Sequence, residues 1–459
     1  MQTTALKVNP LGSEKVGVLL RKYAIPSIIS LIINSLYNIV DQIFIGHGVG
    51  YLGNGATNII APIATIAIAL SGLLGDGLAA VYSLSLGRKE PKKAAQAVGN
   101  MVVVASITGI AFGAFAFVLI EPLCRLFGAT DNILPYALRY GRIIAVGFPF
   151  VILGTAINSV IRADGSPRYA MFAMMIGAIL NTILDPLLIM GFHWSIEGAA
   201  IATIFSQFVG LCFNAAYLFR FRNIRLSKDC FIPRASTTVR IMSLGFASCF
   251  NNLSATLVAA ISNNLLAGYG ALSPYGPDIP VTTFGLCLKV SMIIFSVAIG
   301  IASGSQPIIG YNYGAKLNER VRETYLKACK YATIVAIVAF AAFEGFPLFF
   351  LRLFGTESPL YEEFGVKCFR IYLLLTFLNG VQACAGVFFQ AIGKPVKAAI
   401  TSMSKQFLFI LPAMLILTRL IGVEGVLWSG PVADALAFVL ACVFSAGELR
   451  KLKQPAPAE

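Results

Sequence analysis

Arg125-Leu126-Phe127-Gly128 returns as Arg352-Leu353-Phe354-Gly355, 227 positions later. At that offset or one more, Ala163, Gly165 and Pro167 answer to Ala391, Gly393 and Pro395. Glu197-Gly198 answers to Glu424-Gly425, and Gly77 and Gly87 answer to Gly304 and Gly314. Matches that keep one order and one offset over most of a chain indicate duplication. The reading is two copies of a unit of roughly 220 residues, folded as two similar lobes.

Composition places those lobes in a membrane. Hydrophobic residues make up 57% of the chain and charged residues 12%, against about 25% charged in a soluble domain. Mean hydropathy is +0.80, and the 34 phenylalanines exceed what one or two soluble cores conceal. The first twenty residues lack a long apolar core and a small-residue cleavage motif, so no cleavable signal peptide is expected. Cys124, Cys212, Cys230, Cys249, Cys287, Cys329, Cys368, Cys384 and Cys442 form no C-x-x-C pair. Their number and scatter argue against a disulfide framework or a zinc site.

A membrane helix needs about 20 mostly apolar residues. Windows of that kind fall near 20–45, 57–84, 95–120, 134–161, 169–191 and 197–219, then near 238–267, 281–310, 328–350, 363–391, 396–418 and 424–446. That is twelve spans, six per repeat. An even number puts both copies in one orientation, related by an axis along the membrane normal. The expected organisation is an N-terminal lobe over 1–219, a cytoplasmic linker over 220–237, a C-terminal lobe over 238–446 and a cytoplasmic tail over 447–459. With the N-terminus inside, the inner segments collect Lys7 through Lys22, Arg88 through Lys93, Arg162 and Arg168, Arg220 through Arg240, Lys316 through Lys330, Lys394, Lys397 and Lys405, and Arg450 through Lys453. The opposite loops hold little beyond Arg125, Arg352 and Arg419. This satisfies the positive-inside rule. The net charge of +14 is thereby spread over alternate short loops, which excludes a nucleic-acid partner.

Several motifs do not carry chemistry here. Gly48-Val49-Gly50-Tyr51-Leu52-Gly53 has the G-x-G-x-x-G spacing but follows an apolar helix rather than a strand, so it reads as a flexible outer loop. No P-loop, H-E-x-x-H or G-x-S-x-G occurs. His47 and His193 fall in expected outer loops, and Gly109/Gly113 and Gly300/Gly304 read as ordinary close helix packing.

A charge at mid-bilayer costs about 2.5–3.5 kcal/mol on insertion scales, so each one retained needs a partner, water or a task. Asn34, Tyr37, Asn38 and Asp41 line one face of the first helix, and Pro26 upstream suits a kink or hinge. Asn181 and Asp185 stand one turn apart before Pro186, Asn158 is internal to the fourth span, and Thr203 and Gln207 stand one turn apart on the sixth. All these groups belong to the first repeat. The matching helix of the second offers Asn251, Asn252, Ser262, Asn263 and Asn264 without a carboxylate, so one lobe handles the ion. Lys289 and Asp434, mid-span on the eighth and twelfth helices, either pair with each other structurally or serve the second lobe's cavity. Asp76, between Gly75 and Gly77, suits a helix break, and Glu344 reads as a water-facing residue near a helix end.

Tyr37-Asn38-Ile39-Val40-Asp41-Gln42-Ile43-Phe44-Ile45-Gly46, Ala163-Asp164-Gly165-Ser166-Pro167 and Asn181-Thr182-Ile183-Leu184-Asp185-Pro186 resemble the multidrug and toxic compound extrusion (MATE) family over essentially the whole chain. The likeness is strongest to its prokaryotic DinF-like branch, because the acids lie in the N-terminal lobe. It implies an all-α polytopic membrane protein, with twelve transmembrane helices in two six-helix bundles forming a V. It implies a cation or proton site at Asp41, Asn181, Asp185 and Thr203, where the ion is H+ or Na+. It further implies a cavity lined by Tyr37, Tyr140 and Asn158, and a first helix that bends at Pro26.

The function expected is secondary antiport, not enzyme catalysis. Small organic cations leave in exchange for H+ or Na+, with no other cofactor, through a monomer in contact with lipid in the cell membrane. A lipid or lipid-linked oligosaccharide flippase of the same superfamily is the alternative. A flippase favours a basic cavity for pyrophosphate, which a lone Lys289 among surviving acids does not supply.

Overall fold

A computed structural model describes residues 9–352 and 358–453. Lys7 and the repeat residues Leu353, Phe354 and Gly355 lie outside them. Among the described residues twelve helices are long and apolar enough to cross a membrane, and there is no strand. In chain order they are α1 (Val16–Gly48), α2 (Leu52–Gly87), α3 (Pro91–Val118), α4 (Leu134–Ala163), α5 (Pro167–Gly191), α6 (Ser195–Phe219), α7 (Ala235–Gly270), α8 (Asp278–Gly314), α9 (Asn318–Gly345), α10 (Pro359–Ala391), α11 (Pro395–Ile421) and α12 (Glu424–Lys453). They form two bundles of six in a V.

The repeated Ala-x-Gly-x-Pro explains how matching helices begin. After α4 and after α10 the chain turns through Gly165 (φ 95°) and Gly393 (φ 76°), a left-handed conformation that glycine adopts without a Cβ penalty. The amides of Ser166 and Lys394 reach back to Ile161 and Phe389, closing the preceding helices as glycine caps do. Pro167 and Pro395 then open α5 and α11 at the first helical position, where a missing N–H costs nothing.

Three expectations change. The Gly48–Gly53 segment is not a flexible loop: α1 runs through Gly48, one tight joint at Gly50 (φ 88°) follows, and α2 begins at once. His47 accordingly sits in the last turn of α1, its Nδ1 2.8 Å from the Ile43 carbonyl. Asp76 breaks nothing, since α2 is continuous through it.

Packing ties α1 to both bundles. Its Ile45 joins the apolar core of the first bundle. Its Leu19, Leu20, Tyr23 and Ala24 pack instead with Ile301, Ala302, Tyr325 and Phe388 of the second. Hydrogen bonds between the bundles, among the described residues, run from Leu11–Asn312 and Glu14–Arg320 at the basic end to Ser35–Ser296. The bundles are therefore joined at the end that carries the basic loops. There the backbones touch: a Cβ on Gly77 would lie 2.0 Å from the Ile241 carbonyl oxygen, and one on Gly87 would lie 2.1 Å from that of Tyr311. Gly304 likewise meets the α1 backbone at Ala24. The glycines that mark the repeat thus form the junction itself. Large apolar side chains such as Ile110, Phe115, Phe172 and Val439 stay exposed on the outside, as a lipid-facing surface requires.

Candidate functional site

Asp41 and Asp185 reach the first-bundle site from α1 and α5, and both are buried, Asp185 completely. Their carboxyl groups lie near enough to share a hydrogen bond. Asn181, one turn before Asp185, donates from Nδ2 to Asp185 Oδ1 at 3.1 Å and approaches Thr203 Oγ1 of α6 at 3.5 Å. Three helices thus converge on one polar point. Asp41 Oδ1, Asn181 Oδ1 and Asp185 Oδ2 are buried oxygens that no N–H or O–H of the neighbouring side chains reaches when both acids are ionised. Two facing carboxylates in so little water are mutually repulsive and poorly solvated. Such a place stabilises a proton or a small hard cation. No group of three or more His, Cys, Asp or Glu that could hold a metal ion occurs among the described residues.

Tyr37 and Tyr140 stand within electrostatic reach of both acids, with Tyr140 buried. Asn38 turns its amide nitrogen to the backbone of its own helix rather than to the pair. It is exposed and donates from Nδ2 to the Asn34 carbonyl at 2.6 Å. Gln207 faces Gly147 of α4.

Asn158 belongs elsewhere. It donates to the Ala170 carbonyl at 2.9 Å and to Asn214 Oδ1 at 3.3 Å, while its own oxygen accepts from Arg162 Nη1 at 2.9 Å. Arg162, Ser159 and Asp76 continue this network toward the junction. Pro26 is buried in an α1 that continues through it, and its carbonyl accepts from the Ser30 hydroxyl at 2.8 Å. Glu344 is not simply water-facing: it lies 4.0 Å from Arg370.

In the second bundle, Lys289 and Asp434 do not pair. Asp434 meets Lys405 at 2.7 Å and accepts from Asn379 at 3.2 Å, while Lys405 donates to Asn379 Oδ1 at 2.8 Å. Lys405 is accordingly no inner-loop charge but a cation within α11. Its position inside the 396–418 window is the signal that could have found it. Lys289 is exposed, two helical turns from the Ser296 that touches α1 at Ser35, so it projects on the face that looks toward the first bundle.

Asp164, within the Ala163–Pro167 segment, is fully buried. It accepts from the hydroxyls of Tyr82 and Tyr217 at 2.5 and 2.8 Å, from the Arg222 amide at 2.8 Å and from Asn223 Nδ2 at 2.9 Å. It pins α2, α6 and the linker to the start of α5.

Comparison with known proteins places this geometry. The MatE family model matches residues 26–187 and 247–415. The chain is 25% identical over 426 residues to the multidrug export protein MepA of Staphylococcus saprophyticus subsp. saprophyticus, covering 91% of each chain. It is 25% identical over 429 residues to MepA of Staphylococcus aureus, again with 91% of each covered. An outward-facing structure of a multidrug resistance MATE transporter superposes with a TM-score of 0.90 at 23% identity, covering 99% of this chain and 100% of the other. A transporter of the same superfamily from Pyrococcus furiosus gives 0.89 at 22% identity, over 97% and 98%. With twelve spans, two bundles and a family match over most of its length, the chain belongs to the MatE family of multi-pass membrane transporters.

Proposed function

We propose that the protein is a secondary active multidrug efflux antiporter that exports cationic amphipathic compounds in exchange for H+ or Na+ by alternating access. The observation that carries this reading is the facing of Asp41 and Asp185, backed by Asn181 and Thr203, inside the first bundle. The pair attracts a cationic substrate while ionised. A proton or Na+ bound there removes much of the cost of enclosing the charge away from water. Substrate and ion thus compete for one charge balance. The oxygens of Asp41, Asn181, Asp185 and Thr203 form the hard donor set that Na+ prefers, and Tyr37 and Tyr140 wall the site toward a cavity that includes Asn34, Asn38 and Gln207.

The same reading assigns lobes over 1–219 and 238–446 joined by a linker over 220–237. Both termini are cytoplasmic, the location is the cell membrane and the working unit is a monomer. It puts the chain in the DinF-like branch, since the acids lie in the first lobe. The relatives from the two Staphylococcus species are named for multidrug export, which supports small-molecule substrates.

The deciding experiment reconstitutes wild type and Asp41→Asn in liposomes and follows a fluorescent organic cation under a pH gradient and, separately, a Na+ gradient. Wild type moves the dye under one gradient and the variant moves it under neither. Equal transport by both proteins refutes the assigned site.

A further inference from the structure

In the second bundle, Lys405, Asp434 and Asn379 form a closed triangle of 2.7, 3.2 and 2.8 Å drawn from three helices. Asp434 is 3% exposed and Lys405 20% exposed. Lys405 also lies over the Phe295 ring of α8, its Nζ 5.6 Å from the centroid, and Tyr372 of α10 is within electrostatic reach of Asp434.

The helices are deformed at this point. α11 widens into a π-helical stretch over Ser404–Ile410, which begins one residue before Lys405. α10 widens over Cys368–Tyr372, tightens over Thr376–Leu378 and resumes as a regular helix at Asn379. π-turns inside helices occur frequently at functional positions. Pro412 bears on the Leu408 carbonyl inside the α11 stretch, whereas no proline stands in Cys368–Leu378 of α10.

The repeat gives the triangle its meaning. At the 227-residue offset of Glu197 and Glu424, Asp434 answers to Gln207 on α6, one turn from Thr203; at the 228-residue offset of Pro167 and Pro395, Lys405 answers to Gly177 on α5, one turn from Asn181. The triangle therefore lies about one turn from the counterpart of the first bundle's acid site, on the helices that match α4, α5 and α6. There two carboxylates face oxygen donors and lack a cation of the chain's own. Here one carboxylate is met by the ammonium of Lys405.

We propose that Lys405 is a tethered cation: it occupies, permanently and covalently, the place at Asp434 that a coupling ion takes at Asp41 and Asp185, so the second bundle closes without an ion. The coupling ions per cycle are then set by the first bundle alone. This rests on the antiport reading above. Removing the ammonium while keeping Asp434 leaves a buried carboxylate that must take a proton or Na+ from solution. Removing both charges restores neutrality, which buried sites tolerate.

The test measures, in liposomes, the opposing dye gradient at which ion-driven flux stops, and hence the ions exchanged per dye. Wild type is compared with Lys405→Arg, Lys405→Met and Lys405→Met/Asp434→Asn, each checked for folding by size exclusion and thermal unfolding. Lys405→Arg keeps the wild-type value. Lys405→Met either exchanges one further ion per dye or stops transporting. The double variant transports at the wild-type value. The proposal is overturned by a Lys405→Met protein that transports at unchanged stoichiometry, or by a double variant that is inactive or misfolded. Those results leave antiport standing, whereas a wild type with no ion-driven flux removes the antiport reading and this inference together.

Discussion

The junction at the basic end is where the smallest perturbation has the most calculable effect. A methyl group on Gly77 would start 2.0 Å from the Ile241 carbonyl oxygen and 2.9 Å from the Gly245 nitrogen, and one on Gly245 would start 1.8 Å from the Leu73 carbonyl oxygen. Ordinary contact begins at 3.4 Å. The obstacles are backbone atoms of the opposite bundle, which no rotamer change can move aside. Gly77→Ala therefore forces α2 and α7 apart by about 1.4 Å, and overpacking of this kind costs about 1–3 kcal/mol. A conformer open at the basic end lacks this contact and escapes the cost. At about 1.4 kcal/mol per tenfold, the equilibrium moves toward that conformer by roughly five- to 150-fold. Gly268→Ala is the control, because it makes the same substitution in α7 with no atom within 4 Å of the new Cβ. Spin labels at Lys92 and Glu319, exposed near the basic ends of the two bundles, report the separation by pulsed electron resonance in a background with the native cysteines replaced. Gly77→Ala should enlarge a long-distance population, and the Gly268→Ala distribution should match the parent. Identical distributions for all three proteins would sink the argument that these glycines close the junction.

Other expectations follow from groups described above. Asp164→Ala strands two buried tyrosine hydroxyls and a backbone amide, a loss of about 3–5 kcal/mol, read as a marked fall in the thermal unfolding midpoint; an unchanged midpoint contradicts the pinning role. Glu448 is buried and paired with Lys394 and Lys397, yet both lysines are about one-third exposed. Solvent screening limits the cost of Glu448→Gln to about 1–2 kcal/mol, a smaller fall than for Asp164→Ala in the same scan. Asp41→Asn and Asp185→Asn, by contrast, should each lose at least tenfold in ion-driven dye export with thermal unfolding little altered, because they remove buried charges that repel one another.

The sequence alone was enough for the architecture. The duplicated Arg-Leu-Phe-Gly, the Ala-x-Gly-x-Pro turns, the apolar windows and the alternating basic loops each follow from local rules: helix length against bilayer thickness, glycine at left-handed turns, and lysine and arginine kept out of the lipid. Each polar face of the first bundle's candidate site was legible for a similar reason, whereas the meeting of those faces was implied only by the family resemblance. Asn181 and Asp185, or Tyr37 and Asp41, share a face by spacing within one helix, so the three-dimensional neighbours are also neighbours at helical period. Contacts between helices were not legible. Lys405 read as a loop charge, and Asp434 had Lys289 for a candidate partner, because periodicity places a residue on a face without saying which helix that face meets. Asn158 looked like a cavity residue for the same reason, until packing set it against Asn214 and Arg162. The glycines Gly77, Gly87 and Gly304 were visible as repeat markers, but only the approach of two backbones shows that they form the junction. Partner choice across helices depends on the register and tilt of whole bundles, a property of the packed tertiary structure that no window of sequence contains.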